Sequence, residues 1–231
     1  MPGTLALVGS GEYLPVMLDV ERALLAERPP TYVQIATAAA PEGEASLQRW
    51  RQLGEDQAAR LKVKPVWLPV FDRESADDPA HADQLADAGL IYLSGGNPAF
   101  LANTLRGTAV WRAIVAAWEA GASLAGCSAG AMAITSWVPS IRHPRGTPTD
   151  GLGLLPHLRV LPHFDKMLGW APDLLTRTLL HAPEATTVLG IDEDTAMVGG
   201  PNQWVVHGRQ SVFTLGHGHR VEHRPGEVIS T

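Results

Sequence analysis

The chain of 231 residues is predicted to be an α/β protein. The expected architecture is a three-layer, doubly wound, mostly parallel sheet with antiparallel β-hairpins towards the C-terminus. Three observations predict it. Short apolar runs alternate with longer segments of helical period, glycine-rich turns fall just after several of the runs, and from about Thr187 the spacing shortens to strand, turn, strand. Alternation of the first kind calls for parallel strands with crossover helices on both faces. Short strands joined by Gly, Pro and Asn turns suit antiparallel pairing at a sheet edge.

The elements follow in order. Leu5-Ala6-Leu7-Val8 is the first strand; it ends at Gly9-Ser10-Gly11, and an amphipathic segment runs from about Pro15 to Glu27. Tyr32-Val33-Gln34-Ile35-Ala36 is the second, followed by a polar helical stretch from about Glu44 to Leu61. Val66-Trp67-Leu68 and Leu90-Ile91-Tyr92-Leu93 are the next two, separated by an acidic helical pattern near Asp77–Ala88. After Gly95-Gly96-Asn97 a helix begins at about Pro98, where proline is tolerated in the first turn. Another, from about Ala109 to Ala120, leads into the buried-strand pattern Ala122-Ser123-Leu124-Ala125. Leu158-Arg159-Val160-Leu161-Pro162 reads as a strand ending at His163. The late strands are Val188–Asp192, Ala196–Val198, Trp204–Val206 and Val212–Leu215. With no repeat, low-complexity segment or interdomain linker, residues 1–231 are expected to form one domain.

Composition narrows the function classes. Hydrophobic residues make up 45% and charged residues 18%, a globular balance. A net charge of −6 and the absence of any Lys/Arg run argue against a nucleic-acid partner. A single cysteine rules out an internal disulfide framework and points to a reducing compartment. Met1-Pro2-Gly3-Thr4 lacks a basic signal-peptide start, and no apolar run approaches the ~18 residues of a membrane span. The expectation is a soluble, cytoplasmic protein with no membrane partner.

Gly126-Cys127-Ser128-Ala129-Gly130 carries the chemistry. G-x-S-x-G between a strand and a helix reads as a nucleophile elbow, which projects the Ser128 hydroxyl beside the free N–H groups of the helix start. Serine needs an adjacent base, and His163, just past a strand end, is the best placed of nine histidines. A carboxylate must then orient the imidazole. Asp150 is the only one between Ala129 and Pro162 and is the first choice, with Asp165, Glu193 or a two-residue Ser–His pair left open. In Ser94-Gly95-Gly96-Asn97, glycines let backbone approach a ligand, so Gly96 and Ala129 N–H groups are the candidate oxyanion hole. Gly9-Ser10-Gly11-Glu12 reads as a turn lining the same cleft. Cys127, one position early, is read as a small buried residue. His207, His217, His219 and His223 lack a carboxylate partner or an H-E-x-x-H pattern, so no metal site is expected.

Taken in order, Ser94-Gly95-Gly96-Asn97, Gly126-Cys127-Ser128-Ala129-Gly130-Ala131, Pro139-Ser140-Ile141-Arg142, Gly151-Leu152-Gly153-Leu154, Pro162-His163-Phe164 and Gly190-Ile191-Asp192-Glu193 resemble the S51 serine peptidases. That family includes dipeptidase E and cyanophycinase, on a fold like that of the class I glutamine amidotransferases. The resemblance implies Ser128 as nucleophile, His163 as base, Gly96 and Ala129 as oxyanion donors, no metal or organic cofactor, and short peptides as substrate. An isopeptide or other amide hydrolase, or a non-catalytic binding protein on the same fold, are the alternatives. Two departures stand out. Asp150 does not fall cleanly at the family's acid position, and Asp165-Lys166-Met167-Leu168-Gly169-Trp170-Ala171-Pro172 replaces the stretch tied to substrate choice in both named members. Trp50, Trp111, Trp118 and Trp170 suit either the core or a homodimer interface.

Overall fold

A computed structural model describes residues 1–140, 147–170, 178, 182–183, 185–216 and 219–231. Its main sheet has eight strands. The parallel half consists of β1 (Leu5–Val8), β2 (Thr31–Ile35), β3 (Lys64–Trp67), β4 (Leu90–Leu93) and β5 (Ser123–Cys127), in the order β1-β5-β4-β2-β3. The crossovers carry α1 (Leu18–Leu25), α2 (Glu44–Leu61), the short α3 (Arg73–Asp77) and α4 (Pro79–Asp83), α5 (Pro98–Leu105) and α6 (Ala109–Glu119). The acidic pattern near Asp77–Ala88, expected as one helix, is helical only over α4, which Asp78-Pro79 sets off from α3. A residue before proline is steered out of helical geometry, and here Asp78 instead caps α4 through the Ala80 N–H at 2.8 Å.

The alternation of side chains builds two cores from the same strands. Leu5, Leu7, Val33, Ile35, Ile91, Leu93 and Leu124 face one way, against α5 and α6. Ala6, Val8, Tyr32, Leu90, Tyr92, Ala125 and Cys127 face the other, against α1 and α2. A strand buried on both faces must be apolar at nearly every position, which is why β1, β4 and β5 read as unbroken runs. Trp111 is buried, Trp118 packs on the first core and Trp50 on the second; the side chain of Trp170 lies outside the description.

After β5 come α7 (Ala129–Ile134), the two-stranded pair β6 (Trp137–Val138) and β7 (Thr149–Asp150), β8 (Leu158–Pro162) and α8 (Phe164–Trp170). Then follow β9 (Thr187–Ile191), β10 (Thr195–Gly199), β11 (Gln203–Gly208), β12 (Val212–Gly216), β13 (His219–His223) and β14 (Val228–Ser230). The expected late strands are present but do not all join one edge. β10, β11 and β14 extend the main sheet antiparallel beside β1, while β8, β9, β12 and β13 form a second sheet in the order β13-β12-β9-β8. Within it β8 and β9 run parallel, with Pro162 opposite Ile191. The chain between them is long enough for a crossover, which a parallel pair requires. Among the described residues no helix is long and apolar enough to cross a membrane.

Candidate active site

The elbow is built where central strand β5 turns into α7. Ser128 sits at φ 50°, ψ −106°, a sparsely populated conformation that costs about 1–3 kcal/mol and persists only where its surroundings impose it. They do so here through close packing. A Cβ on Gly126 would lie 2.6 Å from the Gly130 carbonyl carbon, and one on Gly130 would lie 2.3 Å from the Leu93 oxygen. The Ser128 N–H is also tied to the Val8 carbonyl at 2.9 Å.

His163 stands at the C-terminal end of β8. Its Nε2 is 3.0 Å from Ser128 Oγ and its Nδ1 is 2.9 Å from Glu193 Oε1. A carboxylate oxygen can only accept, so the bond to Glu193 places the imidazole proton on Nδ1. That leaves Nε2 as the acceptor for the serine hydroxyl. Glu193 is itself held: its N–H donates to Asp165 Oδ1 at 3.0 Å, and its carbonyl accepts the Gln210 amide at 2.9 Å.

The carboxylate at His163 is therefore Glu193 and not Asp150, the first choice on sequence. Asp150 is exposed in β7, paired with Trp137, and its carbonyl accepts from the Arg106 guanidinium. Asp165, the other alternative, serves the Glu193 backbone. The missed signal is topological. Read as hairpins, the late strands leave the end of residues 187–191 unplaced. Paired parallel to β8, β9 delivers Glu193 to the same end as His163.

Gly96 and Ala129 line one cleft of about 270 Å³ with Ser128, His163 and Glu193; among the described residues Pro98, Met132, Pro162, Lys166 and Met167 line it as well. Gly96 has φ +133°, and a Cβ there would lie 2.4 Å from the Ala38 oxygen, so only glycine fits. The next residue is fixed on both sides: the Asn97 N–H bonds Ala38 O at 2.8 Å, and Asn97 Oδ1 caps α5 through the Phe100 N–H at 3.0 Å. Neither the Gly96 nor the Ala129 N–H donates to another of the described residues. The Lys166 ammonium is largely exposed and lies 3.6 Å from Asp165.

Other sequence candidates fall outside the cleft. Cys127 is buried in the second core, where desolvation first and the charge of Glu12 next push its thiol well above the ordinary range. Gly9–Glu12 is not part of the cleft wall. Among the described residues no cluster could hold a metal ion; His217, with Ile141, Arg142 and the rest of residues 141–146, lies outside the described residues.

Comparison with known proteins extends the picture. Residues 16–202 match Peptidase family S51. A Peptidase E from Citrobacter koseri is 32% identical, the match covering 75% of this chain and 81% of that protein. A crystal structure of a peptidase from an acI-B1 Actinobacterium is 43% identical and superposes with a TM-score of 0.92, covering 100% of this chain and 98% of that one. A putative Peptidase E from Listeria monocytogenes, 18% identical, shares the fold with a TM-score of 0.68, over 91% of this chain and 100% of the other.

Proposed function

Because this chain belongs to peptidase family S51 and is a serine-type peptidase, we propose that Ser128, His163 and Glu193 are its catalytic triad and that it is an exopeptidase of short peptides. The observation that carries this reading is the unbroken hydrogen-bonded chain Ser128 Oγ, His163 Nε2, His163 Nδ1, Glu193 Oε1. Ser128 Oγ attacks the scissile carbonyl carbon while Nε2 takes its proton. The tetrahedral oxyanion is held by the Gly96 and Ala129 N–H groups, and Glu193 stabilises the imidazolium. The imidazolium then protonates the leaving amine, the C–N bond breaks, and an acyl ester on Ser128 remains. Water attacks the ester with His163 again as base, releasing the acid and restoring the serine. No step requires a metal or organic cofactor.

The size of the cleft supports short substrates. A volume of about 270 Å³ lies just below the roughly 300–1,000 Å³ range of small-ligand pockets. The test is hydrolysis of a dipeptide and tripeptide library by wild type and Ser128→Ala, with released amino acids read by mass spectrometry. Cleavage of short peptides that vanishes in the variant supports the reading. Cleavage confined to isopeptides or to interior bonds of long peptides would replace it.

A further inference from the structure

Glu12 lies outside the triad yet bonds a residue on each side of the site, the Gly95 backbone on one and the Cys127 thiol on the other. It follows the Gly9-Ser10-Gly11 turn after β1 and is only 8% exposed. Its Oε1 accepts the Gly95 N–H at 2.9 Å, and its Oε2 accepts the Cys127 thiol at 2.9 Å. Gly95 immediately precedes the oxyanion donor Gly96, and Cys127 immediately precedes the nucleophile. A Cβ built on Gly95 would lie 2.6 Å from Glu12 Oε1 and 3.5 Å from Ser128 Cβ, so carboxylate, loop and nucleophile are packed together. The neighbouring Tyr13 hydroxyl bonds Ser94 Oγ at 2.6 Å, tying a second residue of the loop to the same turn.

Burying a carboxylate is costly unless its oxygens are hydrogen-bonded, and both oxygens are occupied here by donors from the two segments that frame the oxyanion position. Those segments need a tether. Gly95-Gly96 has no side chain to restrict its backbone, whereas an oxyanion hole works only if its donors are aimed before the charge develops. The Asn97–Ala38 bond fixes the far side of Gly96; Glu12 fixes the near side. From this geometry we propose that Glu12 is a positioning residue, whose carboxylate clamps the Ser94–Gly95 peptide, the unit just before the Gly96 N–H, to the elbow so that the Gly96 and Ala129 N–H groups converge on one oxygen. The inference rests on the oxyanion-hole role proposed for those two groups.

Three substitutions separate acceptor geometry from charge. Glu12→Gln keeps an acceptor oxygen for the Gly95 N–H but loses the charge. Glu12→Asp keeps the charge but withdraws it by one methylene, and Glu12→Leu fills the space and accepts nothing. Each is assayed for kcat and KM on a peptide cleaved by the wild type, for the rate of phosphonylation by an alkyl fluorophosphonate, and for thermal unfolding. A donor displaced by about 1 Å costs on the order of 10²-fold. Glu12→Asp and Glu12→Leu are expected to lose about that factor in kcat with KM within about twofold, while Glu12→Gln recovers most of it; phosphonylation follows the same order. If Glu12→Leu does not fold, the Asp and Gln variants carry the same comparison. Wild-type kcat in Glu12→Asp, a rise in KM alone, or a Gln variant more impaired than the Asp variant would overturn the proposal. Ser128→Ala serves as the control. Hydrolysis surviving in it overturns the site reading and this inference with it; an inactive Ser128→Ala beside unimpaired Glu12 variants overturns this inference alone.

Discussion

Glu193→Gln isolates what the carboxylate does for His163. Glutamine has nearly the same shape, so packing and the Asp165 and Gln210 contacts to the Glu193 backbone survive. What changes is the charge beside the imidazolium and the certainty that Nδ1 carries the proton, since an amide NH2 turned towards Nδ1 would select the wrong tautomer. In a fully buried triad the equivalent change costs about 10⁴-fold in kcat. Here the side chains of His163 and Glu193 are 32% and 34% exposed, so water shares in stabilising the cation. A unit charge pair at 4 Å is worth about 4 kcal/mol near a protein surface and about 1 kcal/mol in bulk water. A loss between those limits, weighted to the upper one by the closer 2.9 Å contact, is about 10²–10³-fold in kcat. The assay is steady-state hydrolysis of a peptide cleaved by the wild type, with Glu193→Gln and Asp150→Asn side by side and thermal unfolding as the folding check. Asp150→Asn is expected to stay within about twofold. A Glu193→Gln enzyme within about threefold of wild type, or a large loss in Asp150→Asn, would refute the assignment of the acid.

Two predictions concern the scaffold. Burial pushes the Glu21 carboxyl up from an ordinary 4.5 to about 7, outweighing its bonds from Gln57 and Tyr32. The folded state therefore keeps a proton that the unfolded chain releases near pH 4.5, so this group's contribution is full below that pH and is lost as the pH rises through about 7. The displacement is worth about 3 kcal/mol; Glu21→Gln should flatten the fall in Tm between pH 5 and pH 8, and parallel curves for the two proteins would contradict this. In the elbow, a Cβ at position 130 would lie 2.3 Å from the Leu93 carbonyl oxygen. Gly130→Ala should accordingly lower Tm and abolish fluorophosphonate labelling, whereas a fully stable, fully labelled variant would show that α7 can move off β4 without consequence.

Much of this was legible in the chain because the parallel strands and the elbow are governed by local rules. Leu5–Val8, Leu90–Leu93 and Ser123–Cys127 are apolar on both faces because both faces are covered. Gly126 and Gly130 mark a turn in which backbone meets backbone. Ser128 and His163 each sit just past a strand end, where sites on such sheets gather, and the structure brings them within 3.0 Å. The acid was obscured by non-local information. Strands of four to six residues carry little record of their partners, and only the β8–β9 register shows that Glu193 and His163 share one end. Glu12 was hidden for a related reason: its partners Gly95 and Cys127 are 83 and 115 residues away, and in sequence it is only the last residue of a glycine turn, with nothing local to show that its carboxylate is buried between them.

The central claim, that Ser128 is the nucleophile activated by His163, is tested most directly by treating the protein with an alkyl fluorophosphonate and mapping the adduct by peptide mass spectrometry. The account predicts a single phosphonyl group on Ser128, no adduct in Ser128→Ala, and labelling slowed by at least about 10²-fold in His163→Ala. An adduct on another residue, or labelling of Ser128 that proceeds equally fast without His163, would contradict it.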